Sequence, residues 1–352
     1  MKYLLIAALL LFVPWVFAEP YLAVQTGFTC SMCHTNPSGG GKRTEFGNQY
    51  AQQLLPAQPL ASQKSVWSGN VTDHLSIGGN ARLAGRQLDL EDRDDNLDFD
   101  VRRVTLYLNA NLTEEISLYI DQRVAPGGAE NREVWAKFNW GNWYGKAGRL
   151  FLPFGWRIED DSAFVREVTG INFNAGDTGV EVGYALGRFN WQLAATNGNG
   201  GASEVDDDKL FSTRAEWVEP SWRAGLSALN NKTKFGERSI YGLFAGLKTG
   251  RINWLLEYDH IEDNGFSIQD LNQDVALIEA NILLRQGHHL KLTFEALTAD
   301  KDTKDRFRGS IVYEYFPWAF SQFRAGFRKR DSDDDAAALN SRETFVEIHV
   351  FF

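Results

Sequence analysis

The architecture of this chain can be read from one stretch, Arg103-Val104-Thr105-Leu106-Tyr107-Leu108-Asn109-Ala110-Asn111-Leu112. Successive side chains of a β-strand point to opposite faces, so the even-numbered residues form an apolar face and the odd-numbered residues a mostly polar one. The same period of two recurs along the chain at 116–123, 134–140, 180–186, 222–228, 290–296 and 311–315. Strands with an apolar outer face and a polar inner face are typical of transmembrane β-barrels.

Short and long connections alternate between these segments. The short turns lie at 113–114, 141–142, 187–188, 219–221, 249–250, 286–287 and 316–318. The longer polar loops lie at 90–98, 125–131, 151–176, 197–209, 231–237, 262–273, 299–305 and 331–341. Outer-membrane barrels have short periplasmic turns, long extracellular loops and an even number of strands. We therefore predict an all-β fold, a 16-stranded antiparallel transmembrane β-barrel over residues 64–352 whose last strand, Thr344–Phe352, ends on an aromatic residue; the alternative is a soluble sandwich.

The composition agrees with a barrel whose strands are half apolar. The mean hydropathy is −0.33 and the net charge is −10, yet aromatic residues reach 13%. After the N-terminal region, no apolar run approaches the ~20 residues of a membrane-spanning helix. We expect the outer-membrane lipid bilayer as a partner, and no nucleic acid.

Residues 1–18 are predicted to be a signal peptide. Lys2 provides the basic region, Leu4–Val13 the apolar region, and Val16-Phe17-Ala18 the residues that precede a cleavage site. The apolar run is too short to cross ~30 Å of hydrocarbon. We expect cleavage after Ala18, export from the cytoplasm, and a mature protein that begins at Glu19.

The pentapeptide Cys30-Ser31-Met32-Cys33-His34 has the C-x-x-C-H spacing of c-type haem attachment. Two thiols at this spacing reach the two vinyl groups of one haem, and the imidazole that follows binds the iron axially. The alternatives are a local disulfide, a thioredoxin-like redox pair or a zinc site. No βαβ pattern surrounds the cysteines, and His34 is the one further ligand nearby. We predict one covalent haem c, held by Cys30 and Cys33 with His34 as axial ligand.

The pentapeptide belongs to a segment, residues 19–63, that we predict to be a haem-binding, cytochrome-like segment and linker. It contains a flexible turn at Pro37-Ser38-Gly39-Gly40-Gly41 and a short helix over Thr44–Leu55. A segment of this size cannot bury a haem alone, because small domains bury little of their surface. A barrel of sixteen strands leaves an open lumen, so we expect the segment to act as a plug there. The longest loop, Phe151–Gly176, either folds inward as a constriction or lies exposed.

The sixth ligand of the haem iron is expected from the barrel. Of the two methionines, Met1 leaves with the signal peptide and Met32 points away from the opposite haem face. By strand parity His74, His289 and His349 face the lumen near the periplasmic rim. The first and last strands are neighbours in a closed barrel, so His74 and His349 are expected close together as candidate sixth ligands; a five-coordinate or otherwise ligated haem stays open. The remaining histidines, His260 and His288, are expected near an outer loop and in a turn.

The run Gln25-Thr26-Gly27-Phe28-Thr29-Cys30-Ser31-Met32-Cys33-His34, followed by Phe46-Gly47 and a sixteen-stranded barrel, resembles the fused monohaem cytochrome–porins of the bacterial outer membrane. The run Gly148-Arg149-Leu150-Phe151-Leu152-Pro153-Phe154-Gly155 is similar to a segment of phosphate-selective porins. The first resemblance, to proteins of iron-oxidising bacteria, implies an outer-membrane location and oxidation of extracellular Fe(II).

Three functions stay open from the sequence. The first is an electron conduit between an extracellular donor or acceptor and a periplasmic c-type cytochrome or other redox partner, an oxidoreductase of the Fe(II):cytochrome c type if it is an enzyme. Carboxylates in the outer loops, at 92–95, 204–208 and 331–335, could concentrate Fe²⁺ there or be ordinary solvated residues. The second is a substrate- or anion-selective porin with a structural or sensory haem plug, favoured by lumen cations at 82, 103, 123, 137 and 146. The third is a haem enzyme such as a peroxidase. Sixteen strands are also compatible with a homotrimer.

Overall fold

The computed structural model describes residues 19–60, 66–90, 93–174, 176–200, 207–234, 236–266, 270–299, 305–332 and 340–352. The predicted signal peptide, residues 1–18, lies outside these ranges, as do residues 61–63 of the predicted linker. Within the described ranges, sixteen antiparallel strands form one closed barrel, which confirms the predicted fold. Each strand pairs with its neighbours in sequence, and the last strand pairs with the first.

The strands are 8 to 19 residues long. They are β1 Leu75–Leu90, β2 Arg93–Asn111, β3 Ile116–Ala125, β4 Glu130–Trp140, β5 Trp143–Leu150, β6 Asp177–Leu186, β7 Phe189–Thr196, β8 Leu210–Val218, β9 Trp222–Thr233, β10 Gly236–Thr249, β11 Ile252–Asn264, β12 Leu271–Arg285, β13 His288–Ala299, β14 Arg306–Tyr315, β15 Ser321–Ser332 and β16 Ser341–Phe351.

The helices of the described ranges are short: α1 Pro20–Thr26, α2 Cys30–Cys33, α3 Glu45–Gln53 and α4 Phe164–Glu167. Helix α3 confirms the helix predicted over 44–55. It begins at its N-cap Thr44, whose hydroxyl accepts a hydrogen bond from the Gly47 backbone N–H at 3.1 Å. Among the described residues, no helix combines the length and the apolar character needed to cross a membrane.

The alternation that predicts the strands separates the two faces of the barrel wall. On β2, Arg103 and Thr105 are buried inside, whereas Leu106 is 49% exposed on the outside. Many other exposed strand residues are also large and apolar, including Leu118, Phe138, Trp140, Val180, Trp222, Leu243 and Phe294. Closure of the barrel pairs the backbone groups of both edge strands, which is what hydrocarbon requires.

The predicted order of short turns and longer loops is confirmed, but strand replaces much of three predicted loops. Of the stretch 90–98, residues 93–98 belong to β2. The stretches 231–237 and 262–273 are also partly strand, because β9 runs to Thr233, β10 begins at Gly236, β11 runs to Asn264 and β12 begins at Leu271. The ladder therefore continues beyond the apolar band, where outward side chains face water and polar residues no longer signal a loop.

Both the plug and the longest loop lie inside the barrel. The largest apolar cluster joins Tyr21 and Leu22 of the plug, Trp156 and Phe164 of the 151–176 loop, and wall residues such as Phe244. The inward-folded form of this loop is therefore confirmed. The core of the molecule is in the lumen, where an open porin would hold water.

Candidate functional site

The plug, residues 19–60, is fastened to the short-turn end of the barrel. The Ala57 N–H donates to the Phe316 carbonyl at 2.8 Å, and the Gln286 amide donates to the Pro56 carbonyl at 3.0 Å. Phe316 and Gln286 belong to two of the short turns. Since short turns face the periplasm in such barrels, the plug enters the lumen from the periplasmic side.

A buried ionic cluster holds the first residues of the plug against the wall. Lys291 Nζ lies 2.9 Å from Glu19 Oε2 and 3.4 Å from Glu314 Oε1. The Tyr21 hydroxyl donates to Glu314 at 2.9 Å, and its ring lies 5.2 Å from that of His289. His289 is fully buried, which confirms that it faces the lumen. Burial raises the pKa of Glu19, and the adjacent Lys291 opposes this effect.

The two cysteines are the first and last residues of α2, so they lie on one face of a single helical turn. Both are free thiols. The chain leaves the helix at His34, whose N–H donates to the Cys30 carbonyl at 2.9 Å. Helix α3 lies directly against this turn, because a Cβ at Gly47 would come within 2.2 Å of the Cys33 carbonyl oxygen. The local sequence thus places both thiols and the following imidazole on a fixed frame.

A glycine-rich excursion connects α2 to α3. It is closed by a bridge between His34 and Arg43. Gly39, Gly40 and Gly41 have φ values of 88°, 66° and 65°, a region that glycine enters without strain. Near its start the Asn36 amide donates to the Glu133 carboxylate at 3.0 Å. The turn that the sequence marks as flexible is therefore tied to the barrel wall.

The 151–176 loop meets this excursion from the extracellular side. The Arg157 guanidinium donates to the Gly39 carbonyl, and Glu159 accepts from Arg82 of β1 at 2.7 Å. Burial alone would raise the pKa of Glu159, but Arg82 and Arg103 hold that pKa well below its usual range. The loop is thus attached to both the plug and the wall by charged groups.

A cavity lies where the plug and the loop meet. It comprises about 820 Å³ of space between atoms, including the part that is open to solvent. Its apolar lining includes Leu22, Phe28, Ala51, Leu55 and Trp156. Its polar lining includes Cys30, Cys33, His34, Arg43, Arg157, Glu159 and Arg214. We call this space the thiol cavity.

The imidazole of the thiol cavity is neutral. Burial, with Arg43 and Arg157 nearby, lowers the pKa of His34 to about 3. Burial also lowers the pKa of Arg43, to about 10, which leaves the guanidinium protonated at neutral pH. Burial and the neighbouring Cys30 raise the pKa of Cys33 to about 11. A neutral imidazole is the form that ligates a metal.

The donor set of the thiol cavity fits a covalently attached haem c. Two thiols one helical turn apart and a neutral imidazole open into one largely apolar space. Arg43, Arg157 and Arg214 supply positive charge at its border, as the carboxylates of a haem require. In the described residues, no group of three or more His, Cys, Asp or Glu side chains is arranged to hold a metal ion.

The expected pairing of His74 with His349 is wrong. His74 is exposed, lies before β1 and contacts the Asn111 carbonyl at 3.0 Å. His349 pairs with Arg82, eight residues further along, so about 26 Å of extended chain separates it from His74. Parity failed at His74 because β1 begins only at Leu75.

Neither of these histidines lines the thiol cavity. His349 does face the lumen, where it is 1% exposed and its ring lies 5.9 Å from that of Phe351. Phe351 in turn lies under Arg43, whose guanidinium is 3.5 Å from the ring centre. His349 is therefore near the cavity border, while its role and that of His74 as ligands stay predictions.

The positions of the two remaining histidines can be compared with those predicted from the sequence. His260, on β11 near the loop end, contacts Asp274 at 2.8 Å, close to its expected position. His288 is not in a turn but is the first residue of β13, where its ring stacks on Tyr315 at 4.3 Å. Trp156 and Arg214 line the thiol cavity but were not predicted from the sequence. An aromatic residue in the longest loop and an inward-facing arginine on a strand such as β8 occur at many positions of such a barrel, so neither residue stands out.

The closed barrel, the outward apolar surface and the polar interior define this chain as an outer-membrane β-barrel of the porin type. No family model matches the sequence, and no curated protein matches it.

Solved structures with this fold include bacterial porins. The chain is similar to an anion-selective porin from Comamonas acidovorans, with 11% identity, a TM-score of 0.62 and coverage of 79% of this chain and 99% of that one. It is similar to in-vitro folded OmpT, an outer membrane protein of Vibrio cholerae in its trimer form, with 10% identity, a TM-score of 0.59 and coverage of 80% and 100%. The outer membrane channel DcaP of Acinetobacter baumannii gives 14% identity, a TM-score of 0.59 and coverage of 79% and 97%. At these identities the likeness establishes the fold.

Proposed function

We propose that this outer-membrane barrel carries one haem c in the thiol cavity and moves electrons across the outer membrane. The observation that carries the proposal is the opening of Cys30, Cys33 and His34 into one cavity inside the lumen. When bound, the haem supplies a one-electron Fe(III)/Fe(II) couple. The electron partners would be an extracellular donor or acceptor, with Fe(II) as the first candidate, and a periplasmic c-type cytochrome or other redox partner.

The chain's own residues would attach, orient and shield the group. Cys30 and Cys33 would form the thioether bonds, and neutral His34 would be the proximal ligand. Leu22, Phe28 and other apolar side chains exclude water, which favours a high potential through burial. The plug enters from the periplasmic end and the loop from the extracellular end, so a haem between them would divide the ~30 Å hydrocarbon layer into two shorter gaps.

The decisive experiment measures covalent haem in the exported full-length protein. Expression with a cytochrome c maturation system should give one haem per chain by pyridine haemochrome, retained after denaturing electrophoresis. The double variant Cys30→Ser/Cys33→Ser should lose it, and Ser31→Ala, a change inside the same turn, should keep it. Wild-type protein without covalent haem would refute the proposal.

Electron transfer is tested in proteoliposomes that enclose a soluble c-type cytochrome. External Fe(II) should reduce the enclosed cytochrome when wild-type barrel is present and not with the double cysteine variant. The spectrum also tests the ligand predictions: His349→Ala or His74→Ala should remove low-spin bands if that residue is the sixth ligand. Low-spin bands that survive both substitutions would exclude both residues.

A second function, an anion-selective pore with the haem as a structural or sensory plug, is favoured by Arg82 and Arg103, which face the lumen. Against it, both arginines are engaged by the 151–176 loop, through Glu159 and Asp161. Planar-bilayer conductance separates the two functions. The conduit predicts little ion current, and a large anion current without electron transfer would favour the pore.

OmpT of Vibrio cholerae has a trimer form, and we propose that a homotrimer also forms here. Chemical crosslinking in native membranes would test this proposal.

A further inference from the structure

A second cavity opens at the extracellular end of the lumen, above the 151–176 loop. It encloses about 1,040 Å³, counting its open part. Its floor is Ser162, Phe164 and Glu167 of the loop, and its wall is an arc of adjacent strands in the order β2, β1, β16, β15 and β14. Six arginines line it: Arg86, Arg102, Arg306, Arg308, Arg328 and Arg330. We call this space the outer vestibule.

Four of these arginines have carboxylate partners. Arg328 contacts Asp160 at 3.1 Å and Glu343 at 3.0 Å. Arg308 is paired with Asp160 and Glu295. Arg330 and Arg306 share Glu167, at 2.7 and 3.9 Å. These pairs hold the loop that forms the floor of the vestibule.

The other two arginines leave positive charge in excess. Arg102 forms no ion pair within the described part of the chain. Arg86 has one contact, 3.7 Å to Asp98, and both side chains of that pair are at least a third exposed. An exposed pair at this distance offsets little charge. Arg86 and Arg102 lie on adjacent strands, so their guanidinium groups are available to one ligand.

The outer vestibule and the thiol cavity adjoin a common pocket, as their lining residues show. This smaller pocket, of about 490 Å³, lies between them. Arg86 and Arg102 line both this pocket and the outer vestibule. Glu159 lines both this pocket and the thiol cavity. A ligand in the vestibule is therefore separated from the thiol cavity by one pocket and the Glu159 segment of the loop.

We propose that the outer vestibule binds a polycarboxylate anion of about the size of citrate, free or as the chelate of a metal ion. Guanidinium groups bind carboxylates through paired hydrogen bonds. Arg102, which forms no ion pair within the described residues, and Arg86, whose one pair is long and partly exposed, therefore suit a multivalent anion. Leu88, Leu90 and Phe164 also line the space, which favours an organic anion over an inorganic one.

This inference rests on the proposed function. Within that function, the extracellular electron partner reaches the barrel as an anionic metal chelate and not as a bare metal cation. Chelated Fe(II) would give up one electron and become Fe(III), and a ferric haem held by Cys30, Cys33 and His34 would take up that electron. No covalent bond would form or break.

The test is isothermal titration of the full-length protein in detergent with citrate, with ferric citrate and with inorganic phosphate. Citrate should bind, more weakly as salt rises because the attraction is electrostatic. In Arg86→Gln/Arg102→Gln the affinity should fall about tenfold or more, as expected when hydrogen bonds to charged groups are lost. Arg188→Gln, the same change at the periplasmic turn, should leave it within about twofold, since an exposed ion pair contributes little.

The charge-keeping variant Arg86→Lys/Arg102→Lys separates charge from geometry. It should retain part of the affinity, because lysine keeps the charge but lacks the planar fork. Folding of every variant is checked by heat-modifiable electrophoretic migration. Preference for ferric citrate over citrate would identify the chelate as the ligand, and the reverse would identify the free anion.

Three results would overturn the inference: no citrate binding by the wild type, equal binding by the double glutamine variant, or binding of Mn²⁺ without citrate. None of these three binding results depends on whether the protein carries haem. Citrate binding to a chain without covalent haem would refute the proposed function and leave the anion site standing.

Discussion

In the barrel wall, Leu118 points to lipid and its neighbour Tyr119 to the lumen, and every second residue repeats the pattern. Inside the lumen, Lys291 and Glu159 have partners that are distant in sequence and come from the plug, the loop or another strand. The wall is held by the backbone ladder and its contact with lipid. The plug and the loop are held by buried charges that depend on a few specific partners. Changes to single residues should therefore affect the lumen far more than the wall.

The largest effect is expected at Lys291, which contacts Glu19, Glu279 and Glu314 within 3.9 Å. Lys291→Met leaves Glu19 and Glu279 without this cation and Glu314 with Arg324 alone, which should lower the free energy of unfolding by about 3–5 kcal/mol. Urea unfolding in detergent micelles, followed by tryptophan fluorescence, measures it. The matched control is Lys329→Met, which breaks an exposed pair with Asp331 and should cost at most ~1 kcal/mol. Equal losses in the two variants would contradict the difference between lumen and surface.

The next effect is expected at the attachment of the loop. Glu159→Gln keeps the shape of the side chain but removes the charge that Arg82 and Arg103 contact. Hydrogen bonds to charged groups contribute about 1.5–3 kcal/mol, so the closed form of the loop should weaken by that amount. Bilayer conductance and limited proteolysis of the 151–176 loop should both increase. The matched control, Asp98→Asn, removes a carboxylate at a more exposed pair and should change neither.

The ion pairs of Glu159 and Asp160 that attach the 151–176 loop to the wall should survive mild acid. Burial would raise the pKa values of Glu159 and Asp160, but arginines beside each hold both well below their usual range. A carboxylate with a lowered pKa stabilises the fold above its unfolded pKa, about 4.3 for Glu and 3.9 for Asp, and loses this effect as pH falls towards the folded pKa. Wild-type conductance should therefore stay low from pH 7 to about pH 4.5. Opening near pH 6 would show that other groups close the lumen.

A smaller effect is expected at the contact between α2 and α3. In Gly47→Ala the added Cβ would lie 2.2 Å from the Cys33 carbonyl oxygen, so one helix must move. Overpacking of this kind costs about 1–3 kcal/mol, and it should shift Cys33 away from the thiol cavity. The urea midpoint should fall, and under the proposed haem attachment the fraction of chains with covalent haem should fall as well. Gly309→Ala on β14, where a Cβ meets no atom within 4 Å, should leave both nearly unchanged.

The difference between wall and lumen also explains what the sequence could predict. The period of two along Arg103–Leu112 and the turn residues are local signals, and they were sufficient for sixteen strands and for the order of short and long connections. The pentapeptide Cys30–His34 is also local, so the position of the thiols could be proposed. The contact of Glu19 with Lys291 joins residues 272 apart, and that of Asn36 with Glu133 joins residues 97 apart. Nothing in the local pattern selects those partners.

The error at His74 has the same origin. Parity is reliable only inside a strand, and His74 lies one residue before β1 begins. Register needs more than parity, since His349 faces the lumen as predicted but pairs with Arg82. The distance between two residues on neighbouring strands depends on where the ladder starts, which turn geometry and packing decide together.

The smallest effect is expected at Thr44, the N-cap of α3. Its hydroxyl accepts from the Gly47 N–H at 3.1 Å and donates to the Met32 carbonyl at 2.6 Å, so one side chain joins α3 to the Cys30–Cys33 turn of α2. Thr44→Ala should cost about 1 kcal/mol, the usual value for a lost N-cap, and Thr44→Ser should restore most of it. Urea unfolding of the three proteins measures this. Because the wall should tolerate the change, the variant should keep the heat-modifiable migration of a closed barrel while the plug becomes easier to proteolyse. Loss of that migration would mean that the plug and the wall unfold as one unit.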